Sequence, residues 1–467
     1  MTSTPTEIAP RADATQLADR LAGLRSVFAS GRTRDLEWRL RQLDGITRLV
    51  TEREPEIAEA LERDLGRSAV EAWLGDVTST ASEAEYARKH LRRWMRPARQ
   101  RLPLNQLPGS GWVRYEPLGV VLVIGPWNFP VYLTLGPLVA AVAAGNCAVV
   151  KPSELAPATS ALLARLLPEY LDPEAVIVVE GEASTTQDLL ALGFDHAFFT
   201  GGTEVGKKIM AAAAPTLTPV TLELGGKSPV VVAADADLGV VARRIAWVKL
   251  LNSGQTCIAP DYVLAEASIR DELVDRIVAT VAEFRADQVG GQRIVNERQF
   301  DRLTGYLEAT QGKVVTGGAS DRASLTMEPT VVVDPDPGEP VMSEEIFGPV
   351  LPVLSVASMP DAVAFVNARP KPLALYVFTR SKATGRQVVD AIPAGGAVVN
   401  HVALHCLVPA LPFGGVGASG MGAYHGEWGF QTLSHRKAVL EKTLRPDLRI
   451  IYPPYTDRAK KILRRLF

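Results

Sequence analysis

The chain has 467 residues, 47% of them hydrophobic and 22% charged, with a formal net charge of -2. That length suits two or three domains, each with a full core, and the near-neutral charge supplies no long-range field to draw nucleic acid or an anionic membrane to the molecule as a whole. Three cysteines, an odd number in a chain this long, argue against a disulfide framework and for a reducing compartment, so the expected location is the cytoplasm.

Residues 1–12 form a polar leader, expected to be mobile, and lack the basic-then-apolar pattern of a signal peptide. No apolar run in the sequence is long enough to cross a bilayer. From residue 13 to about residue 100 the pattern is helical. Leu17, Leu21, Leu24 and Val27 recur at three- and four-residue steps, as do Leu40, Leu43 and Ile46. The basic cluster from Arg88 to Arg96 reads either as a phosphate-binding surface or as a solvated helix face; the chain's neutrality favours the second, and no nucleic-acid partner is expected.

From Leu118 the texture becomes strand, helix, strand. Leu118 to Ile124 is an apolar run, Val131 to Ala144 predicts a helix, Cys147 to Val150 a strand and Pro157 to Tyr170 a helix. Strand-like runs follow at Ala175 to Val179, Ala197 to Phe199 and Val220 to Leu222. Apolar strands alternating with helices indicate a parallel sheet covered on both faces, with ligands bound where strands end and helices begin. Cys147 lies inside a strand and is expected to be buried and inert.

Gly201-Gly202-Thr203-Glu204-Val205-Gly206-Lys207 follows a strand and opens a helix. It fails as a nucleoside-triphosphate loop because Lys208 stands where a magnesium-binding Ser or Thr belongs. Its small residues would still let a pyrophosphate approach backbone N–H groups at a helix N-terminus; a glycine-rich helix start with no ligand is the alternative. Gly415-Val416-Gly417-Ala418-Ser419-Gly420 matches a dinucleotide fingerprint literally, but no strand precedes it, so it reads as a loop. Lys151 and Glu154 follow another strand. They suit a ribose diol and a hydroxyl or phosphate, and equally suit ordinary surface chemistry.

Glu223 lies between two leucines at a strand end, where a charge is costly without a partner or a task. It reads as a general base of raised pKa or as half of a buried salt bridge. Asn128, in Gly125-Pro126-Trp127-Asn128-Phe129-Pro130, offers a neutral amide just past a strand, suited to an oxyanion. Cys257 sits in Asn252-Ser253-Gly254-Gln255-Thr256-Cys257-Ile258-Ala259-Pro260, among small and amide-bearing residues that leave a thiol accessible, so it reads as a nucleophile rather than a packing cysteine.

Together these residues resemble the aldehyde dehydrogenase superfamily, most closely its class 3 branch, over roughly Gly31 to Leu440. Glu344 to Val350 and Leu411 to Gly426 are further matching stretches. The resemblance implies a doubly wound α/β cofactor domain with an N-terminal helical layer (13–100 and 118–226) and a second α/β catalytic domain (227–406). It adds a small bridging and oligomerisation element (101–117 and 431–445) that pairs subunits into a homodimer. It implies NAD, or NADP, oxidising an aldehyde, with medium- or long-chain aliphatic and aromatic aldehydes expected, through a thiohemiacetal and a thioester on Cys257. Asn128 would hold the oxyanion and Glu223 would activate water. The coenzyme would meet Trp127, Lys151, Glu154, Gly201, Gly202, Thr203, Glu204, Val205, Gly206, Leu224 and Gly225. Glu345 and Phe347 would hold the nicotinamide ribose and ring, with Glu345 also aiding proton transfer. Many members carry serine where Gly202 stands, so one hydroxyl contact to phosphate is absent here.

His401, His405 and Cys406 invite a metal reading, but no further ligands cluster nearby, and no metal is expected. The tail 453–467 is amphipathic and basic, with Lys460, Lys461, Arg464 and Arg465 on a short helix capped by Thr456-Asp457. It reads as a disordered end, a cover over a neighbouring subunit's substrate funnel, or a weak membrane-surface contact. A cofactor-free thiol hydrolase or acyltransferase and a non-catalytic relative are the competing functional classes. Retention of both Cys257 and Glu223 weighs against the second.

Overall fold

Five apolar segments pair in parallel, and the three central ones are buried at almost every position, as strands of a sheet covered on both faces are. In the computed structural model, which describes residues 14–286 and 292–466, the strand Val120–Ile124 is buried at every position and pairs with Cys147–Lys151 on one side and His196–Thr200 on the other. The leader 1–12 lies outside the described residues. Across the sheet the order is Val176–Val178, Cys147–Lys151, Val120–Ile124, His196–Thr200, Val220–Glu223 and Gly420–Met421, the last antiparallel. The chain therefore winds outward one way from Val120–Ile124 and then the other way, leaving a topological switch point beside Ile124 and Thr200. Cys147, buried in its strand, has its thiol pushed up to about 12 by desolvation.

The helix Tyr132–Ala144 is buried along its whole length because it lies between that sheet and the N-terminal helices Leu36–Glu52 and Thr78–Trp94. Leu17, Leu21, Leu24, Leu43 and Ile46 are buried and Val27 and Leu40 partly so, which makes the periodic face the core-facing one. Each fully buried leucine contributes about 1.5–3 kcal/mol.

A second sheet has the order Lys313–Thr316, Thr330–Val333, Val350–Val356, Tyr262–Glu266, Pro229–Val232, Ala374–Phe378 and Gly396–Val399, parallel except at its first pair. A third sheet joins Ala98–Gln100, Gly109–Pro117 and Ser434–Lys442, all antiparallel. Its outer strand Ser434–Lys442 is largely exposed and, among the described residues, unpaired along its far edge.

Candidate active site

The carboxyl ends of the first sheet's strands converge on one cleft of about 1570 Å³. Trp127 and Asn128 follow Val120–Ile124, Lys151 ends Cys147–Lys151, Gly201 and Gly202 follow His196–Thr200, and Glu223 ends Val220–Glu223. Cys257 reaches the same cleft from the second sheet's side.

The loop before Cys257 is bent sharply. After the helix Leu238–Leu250, Asn252, Ser253 and Gly254 all adopt left-handed backbone, with φ of 53°, 52° and 70°. A side chain at Gly254 would bring its Cβ within 2.4 Å of the Gly348 carbonyl, so the turn needs glycine there. The two non-glycine residues are held by side-chain bonds. Asn252 Nδ2 donates to the carbonyls of Asn128 (3.0 Å) and Gln255 (3.2 Å), and Ser253 Oγ donates to the Gln292 carbonyl (3.0 Å). Backbone strain maintained in this way is typical of a site where a side chain must be aimed.

Cys257 is half-buried and unpaired. Desolvation pushes its thiol up, the carboxylates of Glu345 and Glu223 and the Cys406 thiol add to the shift, and its own backbone N–H is the one group pulling the other way. The protein alone therefore favours the thiol, and no lysine or arginine stands among the main influences on it. Proton removal has to accompany attack. Asn128 is 3% exposed and donates one amide N–H to the Gln255 carbonyl at 3.1 Å, which leaves its second N–H for a ligand.

Glu223 is 3% exposed, and neither carboxylate oxygen has a hydrogen-bond partner. Desolvation holds its pKa well above the usual carboxylate range. Of the two readings of this residue, the buried salt bridge fails: among the described residues no cation pairs with it. Glu345 is half-buried, desolvation pushes it up to about 8, and its Oε1 also lacks a partner. Arg302 donates to the Glu345 and Ile346 carbonyls (3.0 and 2.7 Å), Lys227 to the Glu344 carbonyl (2.7 Å), and the Ile346 N–H to Asp261 (2.9 Å), so its loop is fixed from three directions.

The rest of the cleft fits an extended dinucleotide. Lys151 is 2% exposed and bonds Glu154, itself exposed, at 2.7 Å, so the lysine is held within the cleft while the carboxylate reaches solvent. Gly202 precedes the helix Thr203–Ala213, and a Cβ there would meet nothing within 4 Å, so the helix N-terminus opens into free space. Gly225 lies so close to the Glu345 carboxylate that any side chain would displace it. Phe347, at φ 49°, sets its ring edge-on to Trp127 at 5.3 Å. Thr203, Glu204, Val205 and Leu224 line the cleft as well. Gly206 does not. It packs behind the loop, where a Cβ would fall 2.6 Å from the Leu224 side chain, and so serves the close approach of helix to strand.

Sequence reasoning gave no chemical role to the loop around Gly415–Gly420, yet it forms the wall behind Glu223. Gly420 pairs with Glu223, the Leu224 N–H donates to the Ser419 carbonyl at 3.1 Å, and a Cβ at Gly414 would stand 3.1 Å from the Glu223 carboxylate. The signal was its run of glycines, which mark close approach to another backbone rather than a phosphate.

The chain matches a family model described as "Aldehyde dehydrogenase family" over residues 1–439. It is 47% identical to aldehyde dehydrogenase family 3 member A2 of Mus musculus over 442 residues, covering 93% of this chain and 90% of the relative. It is 44% identical over 432 residues to a Rattus norvegicus protein named "Aldehyde dehydrogenase, dimeric NADP-preferring", covering 92% and 95%. Among solved structures, a substrate-bound state of Staphylococcus aureus AldH superposes with a TM-score of 0.92 at 39% identity, covering 96% of this chain and 99% of that one.

Proposed function

We propose, on the premise that this chain belongs to the aldehyde dehydrogenase family and oxidises aldehydes with NAD(P), that Cys257 carries the reaction as a covalent nucleophile and Glu223 completes it by hydrolysis. The observation carrying this reading is the meeting, in one cleft, of a thiol, a half-satisfied amide and a carboxylate with no partner on either oxygen.

Cys257 gives up its proton to water as its sulfur bonds to the aldehyde carbon. The resulting oxyanion accepts from the free N–H of Asn128 and from the Cys257 backbone N–H. A bound nicotinamide supplies the hydride acceptor. Lys151, Glu154, Gly201, Gly202, Thr203, Glu204 and Val205 would hold the adenosine and pyrophosphate, Trp127, Leu224 and Gly225 would approach the nicotinamide end, and Glu345 and Phe347 would hold its ribose and ring. Loss of hydride from the tetrahedral carbon leaves a thioester on Cys257. Glu223 then takes a proton from water, the oxygen adds to the acyl carbon, the carbon–sulfur bond breaks, and the acid leaves while the sulfur regains a proton. Glu345, which burial pushes up to about 8, would pass protons between the cleft and solvent.

Medium- and long-chain aliphatic or aromatic aldehydes suit the site. Support comes from the apolar side chains of Leu133, Phe413 and Tyr424, which line the same cleft as Cys257. A homodimer through the exposed strand Ser434–Lys442 is supported by that unpaired edge, by Leu440 at 52% exposure upon it, and by the word "dimeric" in the rat relative's name. The helix Asp457–Leu466, capped by Thr456 Oγ1 accepting from the Ala459 N–H at 3.2 Å, is assigned to cover a neighbouring subunit's funnel, with weak membrane-surface contact as the competing role. The three unpaired cysteines support a cytoplasmic setting. Cys257→Ala tests the core of this reading: turnover should vanish while NAD binding, followed by protein fluorescence, stays. Residual turnover above about one part in a thousand would contradict it.

A further inference from the structure

We infer that the buried ion pair Arg67–Asp76 positions the oxyanion amide and the nucleophile loop against each other, a role that rests on the assignments of Asn128 and Cys257 above. The two side chains are 1% and 0% exposed. Folding alone gives little reason to keep such a pair, since well-packed apolar residues often serve as well or better. Its contacts supply another reason.

The guanidinium reaches three different structures. Nη1 donates to Asp76 Oδ2, Nη2 to the Asn128 carbonyl, and Nε to Asn252 Oδ1 at 3.1 Å. The remaining Asp76 oxygen accepts from the backbone N–H groups of Val131 (2.9 Å) and Tyr132 (2.8 Å). It thus caps the helix Tyr132–Ala144, which begins four residues after Asn128. Between these anchors the Phe129 ring lies under the guanidinium at 4.1 Å, and Gly75 makes room for it, since a Cβ there would fall 2.7 Å from the ring. Asn128 is therefore held at its carbonyl by Arg67 and through the following turn by Asp76.

The same guanidinium sets the nucleophile loop. Asn252, which it holds, donates to the Asn128 and Gln255 carbonyls, and the Gln255 carbonyl also receives the Asn128 amide. Gln255 stands two residues before Cys257. Two segments distant in sequence, one bearing the oxyanion donor and the other the sulfur, are in this way referred to one planar cation whose orientation Asp76 fixes. Arg67 and Asp76 are positioning residues, since neither lines the cleft. An error of about 1 Å between donor and nucleophile costs on the order of a hundredfold in rate.

The test uses the full chain with Arg67→Met and Asp76→Leu combined, which leaves no orphan charge, and with Arg67→Lys alone as a milder variant that keeps the charge. Each is compared with Asn128→Ala and with the combination of all three substitutions. NAD-binding sites per chain are titrated, and kcat/KM for aldehyde is expressed per site. The expected result is unchanged NAD affinity, a loss of roughly ten- to a hundredfold in kcat/KM per site for the pair variant, and a smaller loss for Arg67→Lys. The loss caused by the pair variant should be smaller in the Asn128→Ala background than in the wild-type one, because part of it acts through that amide. A purely structural role predicts fewer binding sites at full activity per site, or losses that multiply, and either result overturns the inference. Should the pair variant not fold, Arg67→Lys in the two Asn128 backgrounds carries the same comparison. An Asn128→Ala enzyme of undiminished kcat/KM would strike the oxyanion assignment itself and this inference with it. A damaged Asn128→Ala beside wild-type pair and Arg67→Lys variants would overturn the positioning role alone.

Discussion

Glu223→Gln should make the protein more stable and the enzyme worse, and the two effects should separate by pH and by step. Burial without a hydrogen-bond partner raises the Glu223 pKa in the folded chain above its ordinary value of 4.5. Between those two values folding takes up a proton, so stability falls as pH rises from about 4.5, and the full penalty is felt above the folded pKa. Glutamine has nearly the same shape and no charge to desolvate. It should be close to neutral at pH 5 and stabilising by about 1–3 kcal/mol at pH 8, the range for one poorly satisfied buried polar group. Denaturant titration followed by tryptophan fluorescence at both pH values measures the difference. In the reaction, loss of the base should slow hydrolysis by roughly 10²- to 10⁴-fold while hydride loss continues. Stopped-flow fluorescence should then show a burst of about one reduced coenzyme per active site before turnover stalls. A variant destabilised at pH 8, or one without the burst, would refute the assignment of Glu223 as an unpartnered base acting after hydride loss.

Glu345→Gln should move the pH profile of Cys257 alkylation by iodoacetamide to lower pH. After desolvation, the Glu345 carboxylate is the largest influence raising the thiol, and it is ionised above about pH 8. An unchanged profile would mean that the two groups do not sense each other. Deleting residues 456–467 should lower kcat/KM for long-chain aldehydes several-fold more than for short ones; equal loss on both would refute a gating role, and loss of vesicle binding with unchanged chain-length preference would favour the membrane role.

Local pattern revealed the frame of the cofactor domain. The helix Pro157–Tyr170 has the bounds its sequence suggests, because Pro157 opens it at a position where a missing N–H costs nothing and apolar residues recur at helical spacing behind it. Strand limits shifted by one or two residues where hydrogen bonding stops before hydrophobicity does, as at Leu118 and Ala175. The cleft residues of the first sheet were legible because each ends or follows a strand, and a doubly wound sheet brings strand ends together, whereas Cys257 and Glu345 follow helices. What escaped was long-range: Arg67 and Asp76 look like ordinary surface helix residues until the fold sets them beside Asn128 and Asn252. The protonation of Cys257 escaped for a similar reason, since it depends on burial by the folded chain and then on Glu345 and Glu223 arriving from distant segments. Gly206 shows the converse, a motif glycine whose neighbours suggest a phosphate but whose place in the fold is against Leu224.

The central claim is that the aldehyde becomes an acyl group on Cys257. The most direct measurement is intact-mass and peptide analysis of Glu223→Gln protein quenched in acid shortly after mixing with NAD and an aldehyde. The account predicts a gain equal to the mass of the aldehyde less two hydrogens, confined to the peptide containing Cys257 and cleaved by hydroxylamine as a thioester is. Coenzyme reduction with no adduct, or an adduct on Cys406 or Cys147 with Cys257 unmodified, would contradict it.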